Sequence, residues 1–277
     1  MNLFGDWVNN IHLLSEEYKN NKPYPYVIIN DFLNSSFIND IYNEYNEHSN
    51  DLSDWHFYNN PLEVKYAYDN INKCGKNIQK LFELYSSKEC IELFNTLSGI
   101  NTLEYDSTLH GCGLHLMPRN GRLAMHLDYE KHPILENKQR RMNIILYVNK
   151  TWNTEWNGST KLFYKDLNNS FIESPILYNT AIVFQTNDIS WHGVPDKINC
   201  PINESRKSIA YYYISELESK PDNTKIGNNG CGYRTKATYI NKTKYKEIDH
   251  FVKIRPLRRI EKEDILKYWP DWNSETY

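Results

Sequence analysis

GLHLMPRNGRLAMHLDYEKHP, residues 113–133, holds two runs of alternating apolar and polar residues, split by the turn residues Pro118, Arg119, Asn120 and Gly121. Period-two alternation broken by turn residues reads as short β-strands. In an extended chain, residues i and i+2 share a face, so the side chains of His126 and Asp128 can converge on one point. Taken alone the spacing is weak. With nine histidines and 35 acids in 277 residues, about one His followed by an acid two positions on is expected by chance, so the motif needs structural context.

Further runs of the same kind follow: MNIILYVN, STKLFYK, TAIVFQ and RKSIAYYYIS. Strands spaced this closely, with no helices between them, predict an antiparallel sandwich or barrel. The first hundred residues read as helical with one early strand, YPYVIIN (24–30). SSFINDIYNEY then offers serine caps and apolar residues at helical spacing. SSKECIELFNTLSGI places Ser86 and Glu89 in capping-box spacing and Gly99 where a helix-ending glycine belongs. Residues 216–234 read as loop, and EKEDILKYWP as a short final helix. With no repeat and no linker, the expected organisation is one domain: a helical and strand support (1–104), a β core (105–215) and an extension packed on it (216–277).

The chain of 277 residues is 40% hydrophobic and 14% aromatic, with 22 tyrosines. Such a chain buries a substantial core and is too apolar to be disordered. No apolar run is long enough to span a bilayer, so no membrane partner is expected. A net charge of −3 gives no overall electrostatic reason to bind nucleic acid. Cys74, Cys90, Cys112, Cys200 and Cys231 form no CxxC pair, and the N-terminus lacks the basic and apolar regions of a signal peptide. The expectation is a reduced, cytoplasmic protein.

His192, in NDISWHGVPD at the end of the buried-looking run AIVFQ, is the candidate third ligand. Two imidazoles and one carboxylate on one side of a metal leave the other positions open, the arrangement suited to non-heme Fe(II) that activates O2. In RKSIAYYYIS, Arg206 and Ser208 share a strand face. A buried guanidinium needs an anion, and its planar fork suits a carboxylate, so a dicarboxylate cosubstrate chelating iron at its other end fits the pair. Taken singly, without this context, His126 and His192 read better as satisfied structural histidines than as ligands.

The set His126, Asp128, His192, Arg206 and Ser208 resembles that of the Fe(II)- and 2-oxoglutarate-dependent dioxygenases, specifically the prolyl 4-hydroxylase-like group. KPYPYVIINDFL, NTLSGI, HGCGLHLMPRNGRLAMHLDYEKHP, RRMNIILYVNKTWNTEWNGSTKLF and HGVPDKINCPINESRKSIAYYYIS are similar to its blocks in order, over about residues 23–215. The resemblance implies a mainly β fold with flanking helices, built on a double-stranded β-helix (a jelly-roll, cupin-like core). It implies Fe(II), 2-oxoglutarate and O2 as cofactors, ascorbate as a reductant, and hydroxylation of a carbon. Asp128 in the ligand set speaks against halogenation, since related halogenases carry a small residue there. Tyr147 matches a tyrosine that meets the distal carboxylate of 2-oxoglutarate. Two positions depart from the pattern: Thr160 stands where an aliphatic residue is usual, and Leu116 where some protein hydroxylases carry tyrosine.

Asn143, on the strand leading to Tyr147, is a candidate hydrogen-bond partner of cosubstrate or substrate. Arg140 and Arg141 read as a solvated or structural pair, with substrate contact as the alternative. His110, His115 and His132 read as structural, His132 as a loop residue before Pro133. Trp152, Trp156 and Trp191 read as packing, and Cys112 and Cys200 as inert thiols. The substrate class stays open between a prolyl or other residue of a peptide or protein and a small molecule such as a free amino acid or sugar. Two rival functions are a non-enzymatic β-sandwich binding module and a cupin-type isomerase with another metal, which has no use for Arg206.

Overall fold

The computed structural model describes residues 3–164, 170–218 and 233–277. Most of the loop expected at 216–234 lies outside them. The helices are α1 (Ile11–Asn20), α2 (Ser35–His48), α3 (Lys76–Ser86), α4 (Lys88–Ser98), α5 (Ile248–Ile254) and α6 (Lys262–Tyr268). The strands are β1 (Tyr26–Ile29), β2 (His56–Asn60), β3 (Glu63–Tyr68), β4 (Glu104–Tyr105), β5 (Gly113–Pro118), β6 (Arg122–Leu127) and β7 (Lys138–Tyr147). They continue with β8 (Thr160–Phe163), β9 (Phe171–Ser174), β10 (Thr180–Gln185), β11 (His192–Val194), β12 (Ser205–Glu216) and β13 (Thr238–Tyr239).

All the strand pairs are antiparallel, and the sheet runs β1-β10-β7-β12-β5-β3-β6-β11-β8-β9. It curls into a nearly closed barrel, the jelly-roll core that the resemblance implied. Parity divides its two faces. Met142, Ile144 and Leu146 on β7, with Ile209, Tyr211 and Tyr213 on β12, pack outward under the apolar faces of α1 to α4. Burying each such side chain contributes about 1.5–3 kcal/mol. Their neighbours Asn143, Ile145, Arg206, Ser208 and Tyr212 therefore face inward and line the cavity of the barrel.

Two local expectations need correction. The first hundred residues are not helical with a single strand, because β2 and β3 form a hairpin turned at Pro61 and Leu62. In this hairpin β3 bridges β5 and β6, closing the barrel wall beside the site. The cap of α4 is Ser87, which accepts from the Cys90 amide, whereas Ser86 completes α3 and donates to the Phe82 carbonyl. Likewise Asn34, one residue before the expected serines, caps α2. Gly99 does end α4 in the left-handed conformation (φ +75°), as its position predicted. No helix among the described residues is long and apolar enough to cross a membrane.

Candidate active site and metal centre

Antiparallel pairing of β6 with β11 sets His126 directly opposite His192, and Asp128 follows two residues after His126 on the same face. All three side chains are buried, and their ligating atoms lie within 4.8 Å of one another. Each imidazole is oriented by its own backbone. His126 Nδ1 lies 2.9 Å from the Ala124 carbonyl and His192 Nδ1 2.8 Å from that of Ser190, so each Nδ1–H donates outward. Both Nε2 lone pairs are thereby turned to the cavity, as a metal-ligating histidine requires.

Asp128 Oδ1 is 3.6 Å from His126 Nε2, and Oδ2 is 3.8 Å from His192 Nε2. These gaps are too long for hydrogen bonds, but three such donors can share an ion that each meets at about 2.0–2.2 Å. Asp128 Oδ2 is buried with no hydrogen-bond partner. Its neighbour Arg140 pairs with it at 3.3 Å in ionic contact only. A buried carboxylate oxygen left in this state, facing two unshared imidazole lone pairs, fits a divalent cation.

Burial raises the Asp128 carboxyl pKa, but Arg140 and then the two imidazoles outweigh it and hold the group well below the usual carboxylate range. His192 is pushed down to about 4, by burial first and then by His126. Its pKa is thus lower in the native state than the ~6.5 of an unfolded histidine. Below that pH the unfolded chain binds a proton that the native protein refuses. Stability of the metal-free protein is therefore complete above about pH 6.5 and is lost as pH falls further. At about 1.4 kcal/mol per unit, urea unfolding at pH 4.5 should show roughly 2–3 kcal/mol less stability than at pH 7. His192→Asn should flatten this slope, and an unchanged slope would contradict the assignment.

Arg206 is buried on β12 and held from three sides. Its Nε donates to the Gly158 carbonyl (2.8 Å), Nη1 to Ser208 Oγ (3.0 Å) and Nη2 to Thr160 Oγ1 (3.0 Å). Gly158 has φ +95°, which glycine tolerates best, and a Cβ there would press on Ile176 and Ile198. Among the described residues Arg206 has no carboxylate partner, so the remaining guanidinium donors await an anion. Thr160, the departure from the family pattern, accepts from both Arg206 and the Tyr147 hydroxyl (2.8 Å). Tyr147 does not line the cavity. It lies fully buried behind Thr160, to which its hydroxyl donates, and its ring centre is 5.0 Å from the Arg206 guanidinium. Asn143 does line the cavity, and its Oδ1 is buried without a partner.

Arg140 is not a solvated residue. Its guanidinium sits 3.8 Å from the Tyr129 ring centre and 3.3 Å from that of Tyr212, and it donates to the His110 carbonyl at 2.9 Å. Arg141 instead pairs with Glu218 outside this cavity. A β-bulge explains the exchange. Met142 pairs with Tyr213 but Arg140 with Ile214, so Arg141 is the extra residue and Arg140 turns inward. His132 lies in a loop and is buried there, as its structural reading expected. Its Nε2 meets Asp106 at 3.0 Å and its Nδ1 accepts the amides of Ile134 and Leu135, pinning the loop after Asp128. His115 lines the cavity, where burial first, then Lys65 and Arg206, push it well below the usual imidazole range. The extension adds β13, which pairs with β6 and stacks Tyr239 on His126, ring centres 5.0 Å apart at 19°.

No curated protein matches the sequence. Among solved structures, a Pseudomonas putida prolyl-4-hydroxylase aligns over 76% of this chain and 100% of its own, with TM-score 0.56 and 11% identity. A Trichoplax adhaerens prolyl hydroxylase aligns over 76% and 94%, with TM-score 0.55 and 14% identity. The nogalamycin-biosynthesis epimerase SnoN aligns over 80% and 92%, with TM-score 0.50 and 10% identity. At these identities the likeness is one of fold. The sequence itself goes further: residues 112–214, which hold His126, Asp128, His192 and Arg206, match the family model described as the 2OG-Fe(II) oxygenase superfamily. Through this core, the chain is similar to the 2OG-Fe(II) oxygenase superfamily.

Proposed function

We propose that the protein is a non-heme Fe(II)- and 2-oxoglutarate-dependent dioxygenase that hydroxylates an unactivated carbon of a prolyl or other residue in a peptide or protein. The observation that carries this reading is the convergence of His126, Asp128 and His192 in one cavity with a buried Arg206 that has no carboxylate partner among the described residues. When bound, Fe(II) with 2-oxoglutarate and O2 supplies the oxidising power that turns a C–H bond into C–OH, releasing succinate and CO2, with ascorbate as a reductant. His126 and His192 offer Nε2 lone pairs to the metal, and Asp128 adds a negative charge. Arg206, Ser208 and Thr160 form the seat for the distal carboxylate of the cosubstrate, Tyr147 holds Thr160 in place, and Asn143 offers a free acceptor. Tyr239, lying over His126, keeps water from that side of the metal. A reduced, cytoplasmic setting is part of the same proposal.

Two observations support an extended substrate. Two further clefts share Tyr58 and Arg259 with the cavity, so a chain could continue from it along the surface. The Trichoplax protein was solved with a peptide of a hypoxia inducible factor oxygen degradation domain. The second reading is a small molecule, favoured by a cavity of about 330 Å³, near the lower end of ligand-pocket volumes. SnoN, solved with nogalamycin RO, shows the fold serving such a ligand.

Anaerobic addition of 2-oxoglutarate to the Fe(II)-loaded protein should give a visible charge-transfer band. Arg206→Leu should raise the 2-oxoglutarate concentration that half-saturates this band by about 30-fold or more, the loss of a charge-assisted hydrogen-bonded pair. A wild-type protein with no band sinks the proposal.

A further inference from the structure

Cations outnumber carboxylates on the cavity wall. Most of them are accounted for: Arg140 pairs with Asp128, Arg255 donates to Glu63 at 2.8 Å, and Arg258 pairs with Asp264. Arg206 is the seat of the cosubstrate. Lys65 remains. It belongs to β3, where Glu63, Lys65 and Ala67 all line the cavity by strand parity. Its ammonium lies 5.3 Å from the Tyr58 ring centre, and Arg259 stands 5.8 Å from the same ring at the mouth. No ion pair among the described residues includes Lys65. Glu63, its neighbour on the strand face, is engaged by Arg255 and, at 3.5 Å, by the Tyr239 hydroxyl.

Register fixes where Lys65 stands. Tyr66 pairs with Leu116, which sets Lys65 beside Met117, and Met117 pairs with Arg206 on its other side. Lys65 and Arg206 thus occupy one row across β3, β5 and β12, about 10 Å apart at two strand spacings. Two cations in one row, of which one serves the cosubstrate, call for a second anion beside the first. An ammonium half-buried in such a cavity without an anion loses part of its hydration uncompensated. Burial does lower the Lys65 pKa, against the opposing pull of Glu63.

We infer that the primary substrate carries an anionic group, a carboxylate or a phosphate, and that Lys65 with Arg259 receives it. The inference rests on the dioxygenase reading and names the substrate class of that site. Lys65 selects the molecule, and the spacing from Arg206 keeps the substrate's anion from displacing the cosubstrate.

The test uses the full chain loaded with Mn(II) and N-oxalylglycine, an unreactive cosubstrate analogue, so that the Arg206 seat is filled. Methyl phosphate and acetate are then titrated separately by calorimetry. Saturable binding of either probe, weakened about tenfold or more in Lys65→Met and restored in Lys65→Arg, is the expected result. A response to methyl phosphate alone marks a phosphorylated substrate, and a response to acetate a carboxylate. The inference is overturned if neither probe saturates, or if Lys65→Met binds them as the wild type does. It is also overturned if that variant instead loses N-oxalylglycine affinity, which would make Lys65 part of the cosubstrate seat. If the wild-type chain takes up no Mn(II) or N-oxalylglycine, the dioxygenase reading fails, and the same titrations on the metal-free chain still report on Lys65.

Discussion

Asp128→Ala protein is expected to lose Fe(II) on dialysis, to show no charge-transfer band with 2-oxoglutarate, and to release no measurable succinate. Two effects act in the same direction. The substitution removes one of three ligands and the only negative one. It also leaves the Arg140 guanidinium, 3.3 Å from Oδ2 in the native protein, uncompensated beside the metal position. Loss of a residue that merely supports a ligand already weakens metal binding by about 10–100-fold, so loss of the ligand together with a newly exposed cation should exceed about a hundredfold. Asp128→Asn separates the two effects, since it keeps an oxygen donor but not the charge. Metal content by mass spectrometry and succinate by chromatography read the outcome. Stoichiometric iron with ordinary turnover in Asp128→Ala would remove Asp128 from the chemistry.

The triad was legible because strand parity needs only two neighbouring positions. His126 and Asp128 share a face whatever the rest of the fold does, and the same rule put Arg206 beside Ser208. His192 needed a partner strand, and its pairing opposite His126 supplied one. Parity fails where a strand is irregular. On β7 it would send Arg141 inward with Asn143 and Ile145, yet the bulge reverses the order and delivers Arg140. Parity also gives a face without a depth, so it could not tell that Tyr147 lies behind Thr160. Lys65 was hidden for another reason. HFYNNPLEVKYAY sits in a stretch that reads as helical around it, and only its pairing with β5 and β6 shows that it walls the cavity. Long-range contacts of this kind leave no periodic trace in the local sequence.

Arg140→Gln should be the most destabilising single change outside the apolar core. The guanidinium is buried between Tyr129 and Tyr212, bonded to the His110 carbonyl and paired with Asp128. Removing one partner of a buried pair typically costs about 3–5 kcal/mol, because the other charge stays buried and uncompensated. For a chain of this size that corresponds to a midpoint of thermal unfolding lower by roughly 10 °C. The sign with pH follows from Asp128. In the native protein its pKa is depressed, so its stabilisation is present above the unfolded carboxylate value of ~4 and is lost only as pH falls below that. Without Arg140, burial is the largest influence left and the carboxyl rises, so acid unfolding should begin at a higher pH in the variant. A bound divalent ion replaces the missing cation beside Asp128. The loss of stability measured by calorimetry should therefore be large in metal-free protein and smaller with Mn(II) present, where the wild type and the variant converge. Equal losses with and without metal would mean that Asp128 never faces the ion, and that Arg140 serves the loop through Tyr129 and His110 alone.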